Sequence, residues 1–133
     1  MLVTPLRHED PDPTGTLASV EVRGLWHWFG SGDMRKGVLQ GVDLEIRSGE
    51  VVLLTGPSGC GKTTLLTIVG ALRQVMEGSV RVLGQELLGA SRGQSQRLRR
   101  RIGMIFQGHN LLSFLTAEQN VQMGADLLPG LSY

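Results

Sequence analysis

Cysteine occurs once in the chain, at Cys60, so no internal disulfide can brace the fold, and the usage suits a reducing compartment. Charge is also in short supply: charged residues make up 19% of the chain and the net charge is +1. That balance gives no reason to expect nucleic acid or an acidic membrane as the main partner. Long apolar runs are missing too. The longest, "VVLLT" and "LLTIVGAL", fall far short of the ~20 residues a spanning helix needs. The opening "MLVTPLRHEDPDPTG" has no apolar stretch after its charges, so it is not a secretory signal, and the chain is expected to be soluble. Lysine is nearly absent, with only Lys36 and Lys62 against eleven arginines, which makes the placement of Lys62 more telling.

What is present is enough to build a core. With 133 residues and 41% apolar content, the chain amounts to one domain or a piece of a larger one. Residues 1–18, with three prolines and no periodicity, are expected to form a mobile tail, leaving 19–133 as the ordered part. "SVEVRGL" and "VLQGVDLEI" alternate with strand period, placing Val20 and Val22, then Val42, Leu44 and Ile46, on one face. "VVLLT" is an unbroken apolar run of the kind shown by a strand buried on both faces. A helix is expected over "KTTLLTIVGALRQV" with Leu65, Leu66, Val69 and Leu72 inward, followed by a strand at "VRVLG" and a helix at "SQRLRRR". "IGMIFQ" reads as another buried strand, and Thr116 as the N-cap of a helix over "TAEQNVQMGADLL". The pattern is α/β: an antiparallel flap beside a parallel core.

Between the run "VVLLT" and the helix lie Gly56, Gly61, Lys62 and Thr63, at the spacing G-x-x-x-x-G-K-[ST]. Backbone N–H groups of such a loop and the helix N-terminus behind it form an anion site. Glycines let the backbone approach phosphates closely, in angles that a side chain would forbid. Lys62 would neutralise the β- and γ-phosphates and the Thr63 hydroxyl would ligate Mg²⁺. Cys60 lies inside the loop, where a helix N-terminus favours its thiolate, although a small residue tolerated there reads the same way.

Three neighbouring features narrow the type of phosphate loop. Two alternating strands precede it, "LWHWFG" places aromatics upstream, and Gln107 follows "IF" 45 positions beyond Lys62. With these, the sequence resembles the ATPase subunits of ABC transporters: "GPSGCGKTTLL" their Walker A loop, "IFQGHNLL" their Q-loop, "LTAEQNVQMG" the helix after it. It looks most like the lipoprotein-releasing and macrolide-exporting branch. Within that branch "GDMRKGVLQGVDLEI" and "RQVMEGSVRVLGQEL" favour the DevA-type glycolipid exporters. The resemblance runs from about Val20 to the last residue and implies a P-loop NTPase core.

The resemblance also implies roles for particular residues. Phe29 would stack on adenine, with Trp28 as the alternative, although either could be ordinary packing. Gly56, Pro57, Ser58, Gly59, Cys60, Gly61, Lys62, Thr63 and Thr64 would bind the triphosphate of ATP. Thr63 and Gln107 would hold Mg²⁺, and Gln107 would also reach the attacking water. Residues 110–123, with Leu111, Leu112 and Phe114, would receive a transmembrane permease. A second ATPase subunit and a membrane-fusion protein would complete the complex, which would place the chain on the cytoplasmic face of the plasma membrane.

Other parts of that pattern have no match here. After Gln107 the sequence has no "LSGGQ" signature and no apolar strand ending in Asp-Glu; its remaining acids, Glu118 and Asp126, fall in a predicted helix. Hydrolysis needs a positioned carboxylate and charge stabilisation, so the chain is expected to bind ATP at best and not to turn it over. The expectation is the N-terminal portion of an ATPase, interrupted within its helical subdomain, with an incomplete core that exposes a strand edge and apolar surface. A non-catalytic nucleotide-binding module is the alternative. A small kinase would need an acceptor site that is not found. The arginines of "RGQSQRLRRRIG" lack interleaved aromatics and read as a solvated helix face rather than a nucleic-acid site. His8, His27 and His109 are not paired at metal-ligand spacing.

Overall fold

The computed structural model describes residues 2–6, 18–106 and 111–125. Two long strands, β2 (Ala18–Phe29) and β3 (Lys36–Arg47), pair antiparallel around a short 3-10 turn at Gly32–Met34. The far edge of β2 takes β5 (Glu77–Val82), and a two-residue strand β6 (Gln85–Glu86) closes the sheet in the order β3-β2-β5-β6. Val20 and Val22 lie opposite Val82 and Val80 in the β2–β5 register, so the alternation read along the chain becomes one packed face.

β2 does not keep a single period. The register shifts between Val22 and Leu25, with Gly24 at φ +52° in the interruption. A bulge adds a residue to one strand and reverses the alternation beyond it. Val22 and Leu25 are therefore both buried although they are three residues apart, and His27 continues the inward face.

Against this face packs α1 (Lys62–Val69), which buries Leu65 and Ile68. Ala71, Val75, Leu87 and, from α2 (Arg92–Arg99), Leu98 complete the core. The helix is rotated from the expected one: Leu66 and Leu72 are exposed and Val69 only half buried. α1 is eight residues long and ends in a turn with Ala71 at φ +55°, so Leu72 no longer follows the helical face that carries Leu65.

The second sheet departs most from expectation. β4 (Val51–Thr55) pairs with β1 (Leu2–Leu6), antiparallel, in a two-stranded ladder. Part of the stretch expected to be a tail is thus a strand, and Ala18 already belongs to β2; residues 7–17 lie outside the described residues. β4 is not buried on both faces: Val51 is 65% and Leu53 53% exposed, while Leu54 packs on the core. Residues 102–106 form no strand, and Ile105 is 97% exposed. An apolar run becomes a strand only where ladder partners meet its N–H and C=O groups, and among the described residues none lies beside it. Ile102 and Met104 still hold the segment, Ile102 on the core and the Met104 sulfur against Gly70. Beyond it, α3 (Ala117–Ala125) begins as expected at Thr116.

Candidate functional site: a phosphate cradle and an aromatic shelf

The turn from β4 into α1 is built from local backbone demands. Gly56, Gly59 and Gly61 stand at φ +147°, +79° and +95°, in the region that glycine enters without strain. Gly61 is required for space as well as angle. A Cβ there would lie 2.8 Å from the Leu39 side chain and 2.9 Å from the Val38 carbonyl oxygen. Those contacts press the loop against β3 and set where α1 starts.

At that start no side chain caps the helix and no acid stands in its first turn. The first intrahelical bond runs from the Leu65 N–H to the Gly61 carbonyl, 2.9 Å. The earlier amides of the first turn, at Lys62, Thr63 and Thr64, have no intrahelical acceptor and carry the positive end of the helix dipole. The Lys62 side chain folds back over the loop. Its ammonium donates to the Gly56 and Pro57 carbonyls at 2.7 and 2.8 Å and lies 3.7 Å from the Cys60 sulfur. Thr63 is exposed beside it. Uncapped amides, a fixed ammonium and a hydroxyl on one glycine-lined turn fit an oxyanion cluster such as a triphosphate, with Thr63 available to a cation bound to it.

The aromatics of "LWHWFG" separate to opposite faces of β2. His27 and Phe29 share one face, with ring centroids 5.2 Å apart and planes at 78°. His27 stands opposite Leu39, the residue that touches Gly61, so this is the face that meets the loop. Trp28, one residue out of phase, has the Arg35 guanidinium 4.6 Å above its ring. The ring of Phe29, a residue 41% exposed, carries the Arg73 guanidinium at 4.9 Å. His27 is 1% exposed, and neither ring nitrogen has a hydrogen-bond partner. Burial, with the nearby Arg73 charge added, pulls its pKa below the ordinary 6.5.

The structure brings together Gly56 to Thr64 and sets Phe29 on the face that leads to them. Gln107 lies outside the described residues, as does Asn110. Leu111 and Phe114 are exposed and Leu112 is half buried. The Asn120 side chain bonds both the N–H and the carbonyl of Leu112, tying this loop to α3 beside a groove of about 530 Å³ lined by Leu115, Glu118, Gln119, Gln122 and Met123. Two residues of the shelf were missed in the sequence. His27 gave no signal because strand alternation from Val20 and Val22 points it outward. Arg73 was one arginine of eleven, and only the turn after α1 brings it to Phe29.

Comparison with known proteins follows the same outline. The family model described as ABC transporter matches residues 39–131. The lipoprotein-releasing system ATP-binding protein LolD 2 of Rhodospirillum rubrum is 43% identical over 80% of this chain, a match spanning 46% of that relative. The macrolide export ATP-binding/permease protein MacB of Escherichia coli K12 is 41% identical over 80% of the chain and 16% of its own length. The methionine import ATP-binding protein MetN of Bordetella avium is 41% identical over 81% of the chain and 30% of its own length. Among solved structures, the ATP-binding cassette MJ0796 with ADP and Pi superposes with a TM-score of 0.75 at 30% identity, covering 86% of this chain and 50% of that one. The chain spans about half the length of the lipoprotein-releasing relative or less of the others.

Proposed function

Because this chain belongs to the ABC transporter family, we propose that it is the nucleotide-binding part of an exporter ATPase subunit, holding ATP with Mg²⁺ between the loop 56–64 and Phe29. The observation that carries the reading is the cradle itself: Lys62 anchored over a glycine turn at the uncapped start of α1. On this reading the amides of Lys62, Thr63 and Thr64 donate to phosphate oxygens, and the Lys62 ammonium neutralises the β- and γ-phosphates. Thr63 and Gln107 would hold Mg²⁺, which would supply charge neutralisation of those phosphates. Phe29 rather than Trp28 is the base-stacking ring. Phe29 packs on His27, which stands opposite Leu39, the residue that touches Gly61.

Export is favoured by the lipoprotein-releasing and macrolide-export relatives. The glycolipid-exporter subtype rests on "GDMRKGVLQGVDLEI" and "RQVMEGSVRVLGQEL" alone. The permease would meet the surface of exposed Leu111 and Phe114, the latter 79% exposed, and a second ATPase subunit and a membrane-fusion protein would complete the assembly. Among the described residues no helix is long and apolar enough to cross a membrane, so the proposed place at the inner face of the plasma membrane depends on that permease. ATP binding is the activity proposed for these residues.

The test is titration calorimetry of Mg²⁺–ATP against the wild-type chain and Lys62→Ala. Loss of one charge-assisted phosphate contact, worth about 1.5–3 kcal/mol, should weaken binding roughly ten- to a hundred-fold. Equal affinity in the two proteins would remove the loop from the nucleotide site.

A further inference from the structure

We propose that Arg73 is a positioning residue of the base shelf: its guanidinium backs one face of Phe29 so that the other face is held ready for a purine. The inference rests on the nucleotide reading above and deepens it, since the residue acts through Phe29 and selects for the base rather than the phosphates.

Three features of the structure converge on this ring. The Arg73 guanidinium lies 4.9 Å from its centroid, over one face. The His27 imidazole packs against it, with centroids 5.2 Å apart and planes at 78°. His27 is buried and neither of its nitrogens is bonded, so the imidazole serves here as a packing surface. Phe29 ends β2 and is half exposed. A phenyl ring in that position would turn among rotamers unless its neighbours restrained it. With one face under a cation and a buried ring packed against it, Phe29 is restrained, and its exposed part is what a flat ligand would meet.

Arg73 is also fixed to the phosphate cradle. α1 begins at the loop, and the turn that ends it is closed by backbone bonds from the Leu72 and Arg73 N–H groups to the Thr67 carbonyl, 2.9 and 3.1 Å. One helix, about 12 Å long, therefore carries the phosphate amides at its start and delivers the guanidinium to the shelf at its end. Among the described residues the ion pairs join Arg23 and Arg47 to Glu45, and none engages Arg73. A cation over an exposed ring contributes about 0.5–1 kcal/mol, and a shelf ordered before binding spares the ligand that ordering.

The experiment measures Mg²⁺–ATP and Mg²⁺–tripolyphosphate binding on the full chain for wild type, Arg73→Gln, Arg73→Lys, Phe29→Ala and the Phe29→Ala/Arg73→Gln pair. Arg73→Gln should weaken ATP binding about two- to five-fold and leave tripolyphosphate binding unchanged. Arg73→Lys should recover most of the loss, and Arg73→Gln should add nothing once Phe29 is gone. An equal loss for both ligands, an undiminished ATP affinity, or a full effect in the Phe29→Ala background would overturn the inference while leaving the phosphate loop intact. Wild type binding neither ligand would overturn the nucleotide reading and this inference together.

Discussion

An imidazole sealed in a sheet with both nitrogens unbonded is held neutral, because charging it would strand a cation away from water. Burial comes first and the Arg73 charge second in lowering the His27 pKa below 6.5. Above 6.5 the residue is neutral in both folded and unfolded chains, and its contribution to stability is fully present. As pH falls through that value the unfolded chain takes up a proton that the folded chain refuses, so stability drops until the folded value is passed. We expect the urea midpoint to decline between pH 7.5 and 5.5 in the wild type and to be flatter in His27→Leu. A variant with the same slope would place the titration elsewhere. Glu86 acts in a separate window. Burial works against its charge, but the Ser79 hydroxyl and the N–H groups of Leu88, Val80 and Leu87 outweigh it, so its pKa lies below 4.5. Its contribution is present above 4.5 and is lost as pH falls through the folded value.

Short elements in this chain depend on their ends. α2 is eight residues long, and Ser91 caps it by accepting the Gln94 N–H while the Gln94 side chain accepts the Ser91 N–H. The same reciprocal box joins Thr116 and Gln119 at α3. Ser91→Ala should therefore lower stability by about 0.5–2 kcal/mol, read from denaturant unfolding. No change in midpoint would mean that the start of α2 frays already. Because α2 holds Leu98 in the core and Arg99 donates to the Ala71 carbonyl at 2.8 Å, a frayed α2 would loosen the turn that presents Arg73. Thr116 could be read as a cap from the sequence because the box spans three residues. The faces of β2 and α1 could not, since a bulge at Gly24 and an early turn at Ala71 each reset the period.

At the scale of the whole molecule, apolar surface is exposed among the described residues. Val51 and Leu53 alternate on the outer face of β4, and Leu66, Leu72, Ile105 and Phe106 are exposed as well. β4 pairs only with β1 among the described residues, which leaves a strand edge open. Such an edge with apolar flanks is a template for association. Light scattering should show the wild-type chain self-associating with rising concentration and Leu53→Lys doing so less, at unchanged unfolding midpoint. Equal association of the two would exonerate this face.

The glycine turn from Gly56 to the start of α1, proposed to hold phosphate, was legible in the sequence alone. Its glycine angles, its lysine and the helix start are demands made within nine consecutive residues, and spacing records them directly. The Thr116 cap was legible for the same reason, whereas α2, expected from Ser95, starts at Arg92 behind a Ser91 cap that was not read. Tertiary structure alone decided that Phe29 packs on His27 and under Arg73, that "VVLLT" pairs antiparallel with β1, and that residues 102–106 form no strand. Those outcomes depend on strand partners and on the parity of a bulge. Both are set by contacts between segments far apart in the chain, and an apolar run carries no record of which neighbour it meets.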